Sequence, residues 1–477
     1  MIVPSVPFLL FALAAAVLCN LSAAASWRKF SLLALNIVFF ASFSHDPMAF
    51  LPLVGFLGLG YLAQGVTREG SRPRLFVALV VILITGFVWL KRYTFVPRET
   101  FLTFPYLLIG FSYVFFRVLH LLIDSHQGSI TRKVGVVSYL NYTLNFTTLV
   151  SGPIQRYQDF HAMEVDRLPL DLVIAGKSLE RIVIGYFKVA IVSMLLSNLQ
   201  HGALQHLAAG GTLSDRVLEG ALLSAIYPVY LYFNFSGYTD VVIGVARFLR
   251  IQLPENFNRP FSSENAMIFW GRWHMTLSGW LRTYVYNPLM VQGMTRITQP
   301  SLARYISVAG LFVTFFLVGV WHGQTAEFLF FGALTGGGVA VNQLYQLQMQ
   351  SALGGKGYRA LAANSVYKVF SRGLNFTWFA FTQLWFWSTW TQIGQISATL
   401  GPLAIGLCVL AVFVAATAVL AAMESARSGV LRITRGGAPV VTSRYVRTAW
   451  LTALVLVTVS VTVLLNAPAP DIVYKAF

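Results

Sequence analysis

The sequence predicts an all-α, polytopic integral membrane protein, and three observations carry that prediction. Its 477 residues are 56% hydrophobic and 14% aromatic but only 11% charged, with a mean hydropathy of +0.67, far from the charge-rich profile of a soluble domain. Apolar runs suited to membrane passage, which takes about 20 residues per helix, recur from end to end. Those runs are continuously apolar instead of alternating at every second residue, which selects helices over a β-barrel.

In chain order the runs lie near 5–24, 29–43, 48–65, 75–90, 102–123, 135–151, 182–198, 218–246, 305–320, 328–345, 374–396, 399–422 and 448–465. Roughly eleven are expected to span, the shorter ones being re-entrant or interfacial. The first ends in LCNLSAAASW, whose small residues imitate a signal-peptide cleavage site. It lacks a basic n-region and further spans follow at once, so it reads as an uncleaved helix. Cys19 and Cys408, both inside apolar runs, exclude a disulfide framework and a cysteine-rich metal site and read as core packing. With no internal repeat, 1–477 reads as one integral domain, with hydrophilic stretches near 155–180, 250–300 and 347–372.

The formal charge of +17 comes from 34 Lys and Arg against 17 Asp and Glu. On a soluble chain that balance would point to nucleic acid; here the positive-inside rule accounts for it, and no nucleic-acid partner is expected. TREGSRPR, with Arg68, Arg72 and Arg74, and the linker 427–447, with Arg432, Arg435 and Arg444, read as cytoplasmic loops facing anionic lipid. Lys91, Arg92 and Arg98, one span further on, interrupt a clean alternation.

Polar groups inside the apolar runs carry the functional information, because a charge in the bilayer costs from about 2.5 kcal/mol upward and needs a partner or a water-filled cavity. In 107–128, Arg117, His120 and Asp124 share one helix face; a satisfied polar stripe between packed helices accounts for them without a site. In VSGPIQRYQDF, Gly152 and Pro153 break the preceding run and leave Arg156 at a membrane boundary. It is either an arginine snorkelling from a turn or part of a loop lining a substrate cavity. Asp240, inside FSGYTDVVIGVARF, needs a donor, from Tyr238 or from a neighbouring helix.

Further on, Trp270, His274, Leu277 and Leu281 recur at helical spacing and predict an interfacial amphipathic helix, with Arg272 and Arg282 off that face. His274 fits a hydrogen-bonded packing role as well as a functional one. LVGVWHGQTAEF sets His322 between the runs 305–320 and 328–341, both short for a full span. Short, glycine-interrupted segments meeting at a polar junction point to a site within the membrane, and Gly319, Gly323, Gly332 and Gly336 to Gly338 allow close backbone approach. An ordinary interfacial loop explains the spacing equally well. The Asn-x-Ser/Thr triplets at Asn141, Asn145, Asn234 and Asn375 adjoin apolar runs, which speaks against glycosylation.

Six motifs, IGFSYVFFRVLHLLIDSHQG, SGPIQRYQDF, YTDVVIG, LPENFNRPF, FWGRWHMTLSGWLRTYVYNPL and GVWHG, in that order, resemble the membrane-bound O-acyltransferase family. The likeness covers about 107–345, flanked by N-terminal helices over 1–106 and C-terminal helices over 374–466, and is strongest to the branch acting in alginate O-acetylation and D-alanyl transfer. It implies a ring of transmembrane helices around a central funnel in a bacterial inner membrane. It also implies that His322 is catalytic and that His274 supports it. The chain departs from the family in having Thr283 after Arg282, VQGMTRI in place of a GGNR-like stretch, and only a faint echo of the aromatic tail in DIVYKAF.

Acyl transfer from a thioester to a hydroxyl removes the hydroxyl proton as oxygen attacks, and imidazole, with an ordinary pKa of about 6.5, suits that task. His322 is therefore the expected general base. Without a nucleophile-elbow serine motif, direct transfer is simpler than a covalent acyl-enzyme. Asn258, His274, Arg282 and Trp321 are candidate donors to the developing oxyanion, with Tyr238, Asp240 and Arg156 as further substrate contacts. No HExxH or acidic neighbour marks a metal site. The expected donor is acetyl-CoA or an acyl-carrier thioester, used as a co-substrate with no tightly bound cofactor. The expected acceptor is an extracytoplasmic glycan or a partner acyltransferase protein. A proton-coupled lipid or sugar transporter, using Arg117, His120, Asp124 and Asp240, is the alternative of a different class.

Overall fold

The computed structural model describes residue 3 and residues 5–297, 299–434 and 444–464. Arg435 and the tail from 465 lie outside the described residues, as do the side chains of Arg432 and Arg444. The described chain is helical, with an isolated bridge between Phe257 and Trp273 as its β-pairing.

Helix starts follow local chemistry. Proline opens Pro73–Leu90, where its missing N–H has no partner to lose. Asp171 caps Leu172–Phe187 by accepting from the N–H of Ile174 at 2.7 Å, and Asn364 caps Ser365–Thr382 through Val366 and Tyr367. Six stretches among the described residues are long and apolar enough to cross a membrane: Pro47–Val66, Pro73–Leu90, Leu172–Ala209, Leu302–His322, Trp390–Arg427 and Tyr445–Thr462. The count stays below the expected eleven because several runs yield short helices. Val6–Asn20 has 15 residues and Ala25–Ala41 has 17, while the run 135–151 gives only the eight-residue Val136–Thr143.

Packing divides the chain into two compact units. The first comprises Met1–Ala190, Asn234–Glu255 and the described part of Ser460–Phe477. Its apolar interior includes edge-on Phe8, Phe39 and Phe146 and the stacked pair Phe87 and Phe115, 4.0 Å apart. Run 102–123 becomes a helix only from Phe111, after Gly110 in the left-handed region (φ +70), where a Cβ would meet the carbonyl of Leu149. After Thr143 the chain leaves the helix because side chains take over its backbone bonds. Asn36 accepts from the N–H of Phe146 at 2.8 Å, and Asn145 from that of Thr147 at 3.1 Å.

The polar stripe of this unit is satisfied internally. Arg117, 2% exposed, donates to the carbonyls of Tyr142, Thr143 and Thr148 and to the Thr148 hydroxyl. Asp240 takes its donors from a neighbouring helix and not from Tyr238. Arg181 Nε and Lys188 Nζ reach it at 2.9 and 2.6 Å, and Arg181 also forks onto Glu255 at 2.6 and 2.5 Å.

The second unit comprises Ile191–Phe233 and Asn256–Val459. Runs 305–320 and 328–341 are not short segments: they are the apolar parts of Pro300–His322 and Ala326–Ala363. Polar residues such as Asn342 and Gln346 continue the second helix beyond its apolar stretch. Both cysteines are buried and free, as packing residues should be.

Candidate active site

His322 is the last residue of Pro300–His322 and is 4% exposed. Its imidazole is walled by rings, with centroids at 4.7 Å for Trp321, 5.0 Å for Phe386 and 6.2 Å for Phe331. Glycines bring these walls together. A Cβ on Gly332 would lie 2.5 Å from the carbonyl of Phe316, one on Gly336 2.6 Å from that of Phe312, and one on Gly319 would strike Gly332. The two helices thus touch backbone to backbone below the histidine. Gly323 has an extended backbone, and its smallness is a packing need: a Cβ there would overlap the ring of Phe328.

His274 arrives by a different route from the one the spacing predicts. Trp270 and Leu281 do not share a continuous helix: Ala266–Trp270 ends at Gly271, the chain turns, and Met275–Leu281 begins after His274. His274 itself stands in the left-handed region (φ 43, ψ 52), a conformation costing about 1–3 kcal/mol in a non-glycine residue unless its surroundings enforce it. Asn256 enforces it. Its carbonyl accepts from the N–H of Met275 at 3.0 Å, and its Oδ1 accepts from the N–H and hydroxyl of Thr276 at 3.2 and 2.6 Å. His274 is 1% exposed, and its ring lies 6.1 Å from that of Trp321, edge to face. Burial pushes its pKa down to about 3, so the ring is neutral at neutral pH.

The structure therefore brings together His322, His274 and Trp321. Asn258 and Arg282 are exposed, Asn258 using its backbone N–H on the carbonyl of Arg272 and Arg282 opening a π-helical turn, Arg282–Tyr286. Arg156, Tyr238 and Asp240 belong to the first unit. Arg156 is exposed at the start of Tyr157–Val165, and the buried Tyr238 hydroxyl accepts from the N–H of Ser151 at 3.3 Å. Sequence reasoning missed Phe331, Phe386 and Asn256. Asn256, 0% exposed, sits two residues before the exposed Asn258 that was singled out. Among the described residues no cluster of three His, Cys, Asp or Glu could hold a metal ion.

These features define a helical integral membrane protein in which the buried His322 and His274 both lie against the ring of Trp321. The chain belongs to the membrane-bound O-acyltransferase family, whose sequence profile matches residues 122–372, just over half of its length. It is thus an O-acyltransferase by class. It is similar to the teichoic acid D-alanyltransferase of Bacillus subtilis, 30% identical over 310 residues, 61% of this chain and 74% of that one. It is also similar to the "Probable alginate O-acetylase AlgI" of Azotobacter vinelandii, 29% identical over 340 residues, 68% of this chain and 65% of the other. The protein of the same name from Pseudomonas fluorescens is 29% identical over 322 residues, 66% of this chain and 61% of that one. The chain thus spans just under two thirds of the length of these alginate relatives.

Proposed function

We propose that the protein is a multi-pass enzyme of the bacterial inner membrane that O-acylates an exported polysaccharide, with acetyl the foremost acyl group. The donor is a cytoplasmic thioester, acetyl-CoA or an acylated carrier, and the acceptor is the glycan itself or a partner acyltransferase protein. The observation that carries this reading is the burial of His322 among Trp321, Phe331 and Phe386 at the end of a membrane-crossing helix.

His322 takes the proton of the acceptor hydroxyl as its oxygen attacks the thioester carbonyl. The tetrahedral intermediate then expels the thiolate, which recovers that proton from the imidazolium; one C–S bond breaks and one C–O bond forms. The aromatic walls exclude water that would otherwise hydrolyse the donor. The neutral His274, its backbone held by Asn256, packs edge to face with Trp321.

The similarity to a teichoic acid D-alanyltransferase supports a second reading, D-alanyl transfer to a cell-wall polymer by the same chemistry. The transport reading gains no support from its four positions, since Arg117, His120, Asp124 and Asp240 each have protein partners. The test is the ester content of the surface polysaccharide in a deletion strain carrying His322→Ala. Ester should vanish while the variant inserts at the normal level, and retained ester would reject His322 as the base.

A further inference from the structure

Asn256 lies in LPENFNRPF and is wholly buried. Phe257 pairs antiparallel with Trp273, and the next step of that register sets Asn256 opposite His274. The orientation of its amide is fixed chemically. The backbone N–H of Thr276 can only donate, so the amide atom facing it at 3.2 Å is Oδ1, and the Thr276 hydroxyl at 2.6 Å reinforces that choice. Nδ2 is then turned the other way, buried and with no hydrogen-bond partner among the described residues. Buried donors are almost always paired, and one left unpaired costs its full desolvation.

Capping the Met275–Leu281 helix does not explain an amide. Asp, the isostere of Asn, would place an acceptor for Thr276 in the same position, without leaving a buried N–H unserved. What only Asn supplies here is a second, donating group held in place by the first, on a residue that stands opposite His274 in the backbone register. On the acyl-transfer reading of this site, we propose that Asn256 is a further catalytic residue whose Nδ2–H donates to the acyl carbonyl oxygen of the thioester. That donor strengthens as the oxygen gains negative charge, and it needs no reorganisation because Thr276 already holds the amide.

The experiment compares Asn256→Asp, Asn256→Ser and His322→Ala in the full chain, expressed in the deletion strain. The readout is the initial rate of ester appearance on the surface polysaccharide per inserted protein, with folding checked by gel filtration in detergent. Asn256→Asp keeps an acceptor for Thr276 and removes the donor; Asn256→Ser removes the donor with a shorter side chain. Ser is neutral and covers the case in which the new carboxylate disturbs insertion. The expected result is a fall in rate of about a hundredfold in a folded Asn256 variant, the scale for loss of one oxyanion donor. A wild-type rate in either folded variant, with His322→Ala inactive, overturns the role of Asn256 alone. An active His322→Ala overturns the acyl-transfer reading itself.

Discussion

His120 Nε2 accepts the backbone N–H of Tyr157 at 2.9 Å. Its Nδ1 faces Asp124 at 3.6 Å, and Asp124 in turn accepts from Gln158 at 2.7 Å. A ring that holds a buried backbone N–H through Nε2 serves the packing of the Phe111–His126 helix and not a substrate. His120→Ala should therefore lose about 1–3 kcal/mol of stability, because it strands a buried N–H. Ester formation per folded molecule should stay at the wild-type level. Thermal unfolding in detergent alongside ester content checks this; loss of ester at full protein level would place His120 in the chemistry.

Gly319 and Gly332 meet where the helix ending at His322 packs on its successor. Gly319→Val should force these backbones apart, costing about 1–3 kcal/mol or more, as overpacking does, and displacing His322 from Phe331 and Phe386. Gly337→Ala, where an added Cβ meets nothing within 4 Å, is the matched control and should be silent. Membrane protein level and ester content of the two variants decide the matter; equal behaviour would mean the close approach does not position the histidine.

The fold class was legible because hydropathy is a property of single residues summed along the chain, and a bilayer reads it the same way. Helix ends were less so: the helix from Ala326 runs past its apolar stretch through polar residues such as Asn342 and Gln346 and is kinked at Gly354 (φ 68), because backbone hydrogen bonds do not depend on hydropathy. His322 was legible as a polar residue between apolar runs. Its walls were not, because Phe386 lies 64 positions away in sequence and nothing local marks it as a neighbour. The same holds for Asp240, whose partners Arg181 and Lys188 are 59 and 52 residues distant. At His274 the 3.6-residue spacing misled, because the left-handed turn there is set by Asn256, a contact from another segment that outweighs local periodicity.

Asp240 holds two cations, Arg181 and Lys188, while 16% of its side chain is exposed. Asp240→Ala should destabilise by about 3 kcal/mol, the low end for breaking a buried pair, because solvent reaches part of the network. Lys188→Met should cost less, since Arg181 still neutralises Asp240. If Asp240→Ala instead keeps its unfolding temperature and loses ester formation, the carboxylate contacts substrate and is not a structural counter-ion.

Two loops meet at one end of the Pro47–Val66 and Pro73–Leu90 helices, where Arg68 donates to the carbonyl of Thr131. Arg72, Arg74, Arg132 and Lys133 are all exposed there. Four exposed cations beside membrane-crossing helices belong on the side with the anionic leaflet and the positive-inside bias, so this end should face the cytoplasm. Ser71→Cys and Ser129→Cys, both at exposed positions, should react with a membrane-impermeant maleimide only after the cells are permeabilised. The native Cys19 and Cys408 are buried and give little background. Labelling in intact spheroplasts would invert the orientation and with it the side from which the thioester reaches His322.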